Sequence, residues 1–485
     1  MDQVREACGV FGVYAPGLDV ASLVFDGLFA LQHRGQESAG MAVSDGETIT
    51  VVKDMGLVTS VFDARTLSSL QGHLGLGHVR YSTTGPSTWQ NAQPVYRSVG
   101  SAGFALGHNG NLTNIPALEA RAGVLPGTSG SDSDLIAELL ALASPPDAEA
   151  APDGSDFERA LLEVLPLLDG AFSLGALDAT HLVAVRDPNG FRPLCLGRLD
   201  PVEPGGAGGW VVASESPALD IVGARFVREL EPGEMVVIDA SGPRSSYPFP
   251  SERVDPRLCI FEFVYFARPD TRLFGREVHA ARNRMGMQLA DEAPLEADLV
   301  IGVPDSGVPA AEGFSARSGI AFGHGLVKNR YIGRTFIAPT PQARIDGVRR
   351  KLNPLRETIE NKRLVVVDDS IVRGTTTRQM VRMLRDAGAA EVHLRISSPP
   401  FRWPCFYGID TPVRAELLAA RMSVDEIARH LDADSVAYLS LPGLIAAIGE
   451  PNAGFCSACL TGEYPTPVAL ERGALAAVRA QPARL

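Results

Sequence analysis

The chain lacks the features that would place it in a membrane, on nucleic acid or outside the cell. No apolar run is long enough to cross a bilayer. The amino terminus, MDQVREACGVFG, carries no apolar core ahead of a cleavage site, which excludes a secretory signal and makes a cytoplasmic protein the expectation. Basic residues are outnumbered, 44 against 57 acidic ones, for a formal net charge of −13. A nucleic-acid binder would instead show a basic face that neutralises phosphates, so any phosphate specificity must be local. There is no internal repeat, and cysteine is scarce, with six in 485 residues. That length excludes a single core and favours two or three domains.

The first half of the chain is a succession of short β-like runs: GVFGVYA, MAVSDGETITVVKD, LGLGHVRYST, FALGHNGNL, FSLGALD, HLVAVRD, GWVVASES and EMVVIDA. Helical patterns fall near Val20 to Leu31 and Leu135 to Leu142. This mixture predicts two antiparallel sheets with helices outside. SPPDAEAAPDGSD and DPVEPGGAGG are surface loops within that unit. In the second half, DLVIGVP, RLVVVDDS and EVHLRIS are apolar strands with helical patterns nearby, which predicts a mostly parallel sheet. The boundary falls between Ile238 and Cys259, giving units of 8–245 and 258–465 followed by a tail, 466–485.

RLVVVDDSIVRGTTTRQMVRMLRDAGA reads as strand, loop and helix. Backbone N–H groups from Arg373, Gly374, Thr375 and Thr376, with the threonine hydroxyls, suit the 5′-phosphate of a ribose at a helix N-terminus. Asp368 and Asp369, followed by Ser370, suit its 2′ and 3′ hydroxyls. The plainer alternative is a loop that caps its helix, but a cap needs only one acid. VPDSGVPA, after another strand, suits a pyrophosphate cradle or an ordinary turn.

Nearer the start, Cys8 in EACGVFG, Arg80 in HVRYSTTG, Asn109 and Gly110 in HNGNL, and Asp132 in SDSD have plain readings one by one. They are a small buried cysteine, a surface ion pair, a turn and a helix cap.

Taken in this order, the motifs resemble the amidophosphoribosyltransferase family, in which a class II (Ntn-type) glutamine amidotransferase unit precedes a type I phosphoribosyltransferase unit. The resemblance runs from Cys8 to about Tyr464. It implies a four-layer αββα glutaminase domain and a glycosyltransferase that converts L-glutamine, phosphoribosyl pyrophosphate and water to 5-phosphoribosylamine, glutamate and pyrophosphate. Removal of residues 1–7 is then expected, because the α-amine of an amino-terminal Cys8 is the base for its own thiol. Arg80 grips the substrate carboxylate and Asp132 its ammonium, while Asn109 and the Gly110 N–H form the oxyanion hole. Arg34 and Gly35 of LQHRGQESAG line the pocket. In the second unit KNRYIGRTFI, with Lys328 and Arg330, is the loop that closes over substrate and completes a water-poor passage for ammonia. Mg2+ is expected beside the pyrophosphate, with Asp368 and Asp369 as ligands or ribose anchors and Ser306, next to Gly307, as a further candidate. Feedback by purine nucleotides and a homotetramer are also implied.

Cys456-Ser-Ala-Cys459 is a close pair, whereas Cys259 and Cys405 are distant singles. Disulfides are disfavoured in the cytosol, and zinc normally recruits two close pairs. The irregular spacing suits an iron-sulfur cluster, and the resemblance implies [4Fe-4S], acting as a staple rather than in redox chemistry. Cys195 is left over as a buried thiol. Two rival readings stand: a class II amidotransferase serving another acceptor, and a regulatory phosphoribosyl pyrophosphate-binding protein with a relic glutaminase. VVVDDSIVRGTTT speaks against the first and the full set of catalytic side chains against the second.

Overall fold

The computed structural model describes residues 8–81, 87–99, 102–125, 129–144, 155–201, 208–329, 352–411, 413–450 and 454–468. The leader 1–7, Arg330 with the rest of the expected closing loop beyond Asn329, and most of both expected surface loops lie outside the described residues.

The β-like runs of the first half assemble into two antiparallel sheets. One has seven strands, in the order Arg225–Glu229, Cys195–Leu199, Gly209–Ala213, Gly9–Tyr14, Leu74–Arg80, Ser38–Ser44 and Ile49–Met55. The other has six: Gly242–Ser246, Met235–Asp239, Leu182–Arg186, Gly170–Leu177, Ala102–Leu112 and Val95–Val99. Gly9–Tyr14, Leu74–Arg80 and Gly170–Leu177 are buried along their whole length. Such strands do not alternate in exposure because both faces of their sheet are covered.

Three layers of apolar side chains do the covering. Val10, Leu76, Ala105 and Leu177 meet between the sheets, extended by Tyr14, Leu182, Leu196 and Val236. The helix Val20–Ala30, started by Asp19 accepting from the Ser22 N–H, lies on the outer face of the first sheet through Val24 and Leu28. It lies close because Gly77 has no side chain there: a Cβ on Gly77 would stand 2.6 Å from Val24 Cγ1. The helices Ile115–Ala122, Asp132–Ala143 and Ser155–Val164 cover the second sheet over Phe104, Leu106 and Phe172. The result is the expected αββα arrangement.

One expectation needs correcting. MAVSDGETITVVKD is two strands, not one run: Ser38–Ser44 pairs antiparallel with Ile49–Met55. Asp45 turns the chain by accepting from the N–H groups of Glu47 and Thr48 at 2.9 and 2.8 Å. The Asp45-Gly46 dipeptide was the available hairpin signal.

The second half contains a four-stranded parallel sheet of Leu299–Gly302, Arg363–Asp368, Glu391–Ile396 and Ser435–Tyr438. Val365, Val366 and Val367 are fully buried in it, as strands covered on both faces must be. The helices Val278–Glu292 and Val308–Ser318 pack against each other beside it, and Thr375–Asp386 follows its second strand. A short parallel pair, Leu258–Cys259 with Phe455–Cys456, ties the start of this half to its end. Among the described residues no helix is long and apolar enough to cross a membrane.

Leu76 is wholly buried between the sheets. Leu76→Ala should therefore cost about 2–5 kcal/mol, the usual range for such a truncation, read from the shift in the denaturant midpoint.

Candidate functional site

Cys8 stands directly before the strand Gly9–Tyr14, and Arg80 ends the neighbouring strand Leu74–Arg80. They share a cleft with Tyr81, Gln93, His108, Gly110 and Asp132. Cys8 is the buried cysteine of its plain reading, whereas the plain readings of the other motif residues fail. Arg80 is 3 % exposed, so it is no surface ion-pair residue. Asn109 and Gly110 do not form a turn; they lie inside the strand Ala102–Leu112, opposite Ser173 and Phe172. Gly110 has φ of +145°, and a Cβ there would stand 2.0 Å from the Ala171 carbonyl oxygen, so the position requires glycine. Asp132 is relieved of capping, because Ser131 caps the helix Asp132–Ala143 by accepting from the Asp134 N–H.

Both amide atoms of the buried Asn109 side chain lack a partner among the described residues. A buried amide in that state is costly unless a ligand completes it, which is the condition of an oxyanion donor awaiting substrate. Burial opposes ionisation of Asp132, yet the His108 imidazole, 3.5 Å away, and the Leu112 and Ser133 N–H groups hold its carboxyl below the ordinary range. It is therefore a carboxylate suited to an ammonium. Burial pushes the Cys8 thiol the other way, above its ordinary value, so it needs a nearby base to become a nucleophile.

Arg34 reaches Cys8 from the main-chain side: its Nε donates to the Cys8 carbonyl at 3.0 Å. Its other nitrogens go to Glu215 and, as a fork, to both oxygens of Glu262 at 3.0 and 2.9 Å. Arg34 thus backs the pocket, and its donors are taken up by protein groups rather than open to substrate. Gly35 permits the close packing behind it, since a Cβ would lie 2.6 Å from the Arg80 nitrogen. Glu215 also accepts from His33, the Arg268 N–H and Thr271. Despite burial, the neighbouring His33 and Arg34 hold its carboxyl well below the carboxylate range. Glu262 accepts in addition from Arg192 Nη1 at 3.0 Å. Sequence reasoning assigned no role to His108, Arg192, Glu215 or Glu262. The available signals were the histidine of HNGNL and one acid set inside the aromatic run FEFVYF.

In the second half, Asp368 ends its strand and Asp369 follows, 5 % and 1 % exposed. Ser306, from the loop between Leu299–Gly302 and Val308–Ser318, donates to Asp369 Oδ1 at 2.6 Å, and Ser370 donates to Oδ2 at 2.6 Å. The two loops read separately in the sequence therefore meet at one acid. Burial, and for Asp368 the adjacent Asp369, raises both carboxyls, a strain that a cation or hydroxyl donors would relieve. Gly374, at φ +79°, opens the helix Thr375–Asp386 without a side-chain cap. A helix start of this kind, beside Thr375 and Thr376, is where an anion is favoured. Arg373 pairs with Glu416 at 2.7 Å and Lys328 with Asp305 at 2.6 Å.

Four of the five remaining cysteines converge. Cys259 lies opposite Cys456 in the short parallel pair, and Cys459 follows in the helical turn Ala458–Thr461. The Cys459 carbonyl accepts from the N–H groups of Arg402 and Trp403, in the segment that leads to Cys405. All six cysteines are free thiols. Burial comes first in raising the thiols of Cys259, to about 12, Cys405, Cys456 and Cys459; at the first and the last two, neighbouring cysteines add to it. Cys195 is buried apart in its strand, donating to the Ala213 carbonyl. Among the described residues, no three His, Cys, Asp or Glu side chains are grouped so as to hold a single metal ion.

The phosphoribosyl transferase domain family matches residues 276–397 and the glutamine amidotransferase domain family residues 78–220. An amidophosphoribosyltransferase of Mycobacterium tuberculosis is 54 % identical over 479 residues, covering 96 % of this chain and 87 % of the relative. One from Bacillus subtilis is 43 % identical, covering 96 % and 95 %. The chain belongs to the amidophosphoribosyltransferase family. Among solved structures it superposes with TM-score 0.85 and 43 % identity on B. subtilis glutamine phosphoribosylpyrophosphate amidotransferase complexed with ADP and GMP, covering 96 % of this chain and 98 % of that one. A structure described as the allosteric regulatory enzyme of purine biosynthesis matches with TM-score 0.86, 43 % identity and coverage of 96 % and 97 %. Amidophosphoribosyltransferase architecture accounts for both halves of the molecule.

Asp132→Asn should weaken glutamine binding by about 1.5–3 kcal/mol, the value of a hydrogen bond to a charged group, raising KM for glutamine roughly 10–100-fold in a glutamate-release assay. Because the Asp132 pKa is depressed, the ionised form persists as pH falls through the ordinary aspartate range. KM should therefore stay flat there and rise only at lower pH.

Proposed function

We propose that the chain makes 5-phosphoribosylamine from L-glutamine, phosphoribosyl pyrophosphate and water, releasing glutamate and pyrophosphate in the first step of de novo purine biosynthesis. The observation that carries this reading is that one chain holds both the Cys8 cleft, whose wall residue Gly110 follows the buried Asn109 with its unpartnered amide, and a helix N-terminus without a side-chain cap behind two buried acids. We assign glutaminase chemistry to residues 8–245 and phosphoribosyl transfer to 258–465.

Removal of residues 1–7 leaves Cys8 with a free α-amine, which takes the proton from a thiol that burial otherwise keeps neutral. Sulfur attacks the glutamine amide carbon while Arg80 holds the substrate carboxylate and Asp132 its ammonium. The developing oxyanion accepts from Asn109 and the Gly110 N–H. Collapse expels ammonia, and water then cleaves the thioester to glutamate. Ammonia passes through a water-poor route completed by the segment 328–336 and displaces pyrophosphate at C1 of the ribose, whose hydroxyls are held by Asp368 and Asp369 and whose phosphate lies on Arg373, Gly374, Thr375 and Thr376.

Mg2+, held by Asp368 and Asp369 with Ser306 oriented beside them, would neutralise charge on the leaving pyrophosphate. Buried acids with raised pKa fit a hard dication. A [4Fe-4S] cluster fits Cys259, Cys405, Cys456 and Cys459: the donors are four soft thiols without a disulfide, and a four-iron cluster spans more space than the shell of one ion. It would supply a covalent staple between Cys259 and the carboxyl-terminal segment. Purine nucleotides as feedback ligands, a homotetramer and a cytoplasmic location complete the proposal, the first supported by the ADP and GMP in the B. subtilis complex.

Glutaminase activity should rise when phosphoribosyl pyrophosphate is added, whereas silence in protein with intact cofactors would favour a relic. Intact mass, amino-terminal sequencing and iron and sulfide analysis should find a chain beginning at Cys8 with about four of each per chain. A protein that keeps Met1 and still consumes glutamine at full rate contradicts the mechanism.

A further inference from the structure

Arg192 occupies a joint that neither half-reaction requires. It is 0 % exposed, and its guanidinium stacks on the Phe266 ring, 5.2 Å from the centroid. Nη1 donates to Glu262 Oε1 at 3.0 Å and Nη2 to the Tyr407 carbonyl at 2.9 Å. Nε has no partner among the described residues. A buried charged donor left unsatisfied is costly, so its surroundings identify what completes it.

Two of the four convergent cysteines flank it. Phe191, next to Arg192 in the chain, accepts from the Cys259 N–H at 3.1 Å, and Tyr407, whose carbonyl Arg192 holds, donates its own N–H to Cys405 Sγ at 3.4 Å. Phe191 stacks on Tyr407 at 4.3 Å, closing the ring of contacts. Gly408, at φ +113°, keeps the turn after Cys405 open to the guanidinium: a Cβ there would lie 2.7 Å from Nη2 and 3.4 Å from Nε.

We propose that Arg192 Nε donates a hydrogen bond to sulfur of the iron-sulfur site built on Cys259 and Cys405, so that one positioning side chain links that site, through Glu262 and Arg34, to the carbonyl of Cys8. This rests on the reading of the four cysteines as cluster ligands. Hydrogen bonds to cluster sulfur raise the reduction potential and fix the cluster against its surroundings.

The test uses holoenzyme in which only arginine carries ¹⁵N, with the cluster reduced and examined by pulsed EPR. The expected result is an arginine ¹⁵N coupling in the wild type that disappears in Arg192→Gln, together with a lower reduction potential and bleaching in air at least several-fold faster. If Arg192→Gln fails to fold, Arg192→Lys serves for the potential and bleaching rate, and the wild-type coupling stands by itself. Wild type with full iron and sulfide but no arginine coupling overturns the inference alone. Wild type without iron and sulfide overturns the cluster reading and this inference with it.

Discussion

Four buried charges hold the molecule in its working arrangement. Arg34, Glu215, Glu262 and Arg192 are each no more than 1 % exposed, and their hydrogen bonds join residues of the amino-terminal half to the π-helical turn Glu262–Phe266 of the other. Two positive and two negative groups balance, which is what permits them to leave water together. Removing one would strand a partner, a loss of about 3–5 kcal/mol. The arrangement is also directional. Arg34 ends on the carbonyl of Cys8 and Arg192 on the turn after Cys405, so the nucleophile and the cysteine site share one rigid frame.

Around that frame the two chemistries use opposite electrostatic devices. In the glutaminase cleft, His108 and main-chain N–H groups keep Asp132 ionised against its burial, and the neutral Asn109 amide is left unsatisfied. One group is ready for a cation and the other for an oxygen that gains charge only during reaction. At the ribose loop the reverse holds. Asp368 and Asp369 are buried so that their charge is disfavoured until something positive or hydrogen-bond donating arrives. The helix start at Gly374 carries no side-chain cap and its dipole favours an anion. Each site is thus incomplete in a way that matches the substrate assigned to it.

Much of this was legible in the sequence because the informative residues carry local rules. Alternation and β-branched runs marked the strands, and Cys8, Arg80, Gly110 and Asp132 survived as a single cleft although they come from separate strands and one helix start, with Asn109 buried next to Gly110 in its strand. The hairpin at Asp45–Gly46 had its signal in the polar Ser-Asp-Gly-Glu-Thr between the apolar stretches MAV and ITVV, and reading the two strands as one run passed over it. The charge network was not legible for a different reason. Arg34, Arg192, Glu215 and Glu262 are far apart along the chain, and in sequence a lone charge reads as solvated surface. Only the packing of one half on the other buries them, and only Glu262, enclosed by Phe261, Phe263 and Tyr265, carried a local hint.

Glu262, a residue of the second half of the chain, sets the posture of Cys8 without touching it. The most direct measurement is the rate at which a glutamine-analogue electrophile alkylates Cys8 in Glu262→Gln protein of wild-type iron content, without phosphoribosyl pyrophosphate. Alkylation should be markedly slower, because Arg34 loses its charged fork and with it the hold on the Cys8 carbonyl. Alkylation at the wild-type rate in folded protein would contradict it.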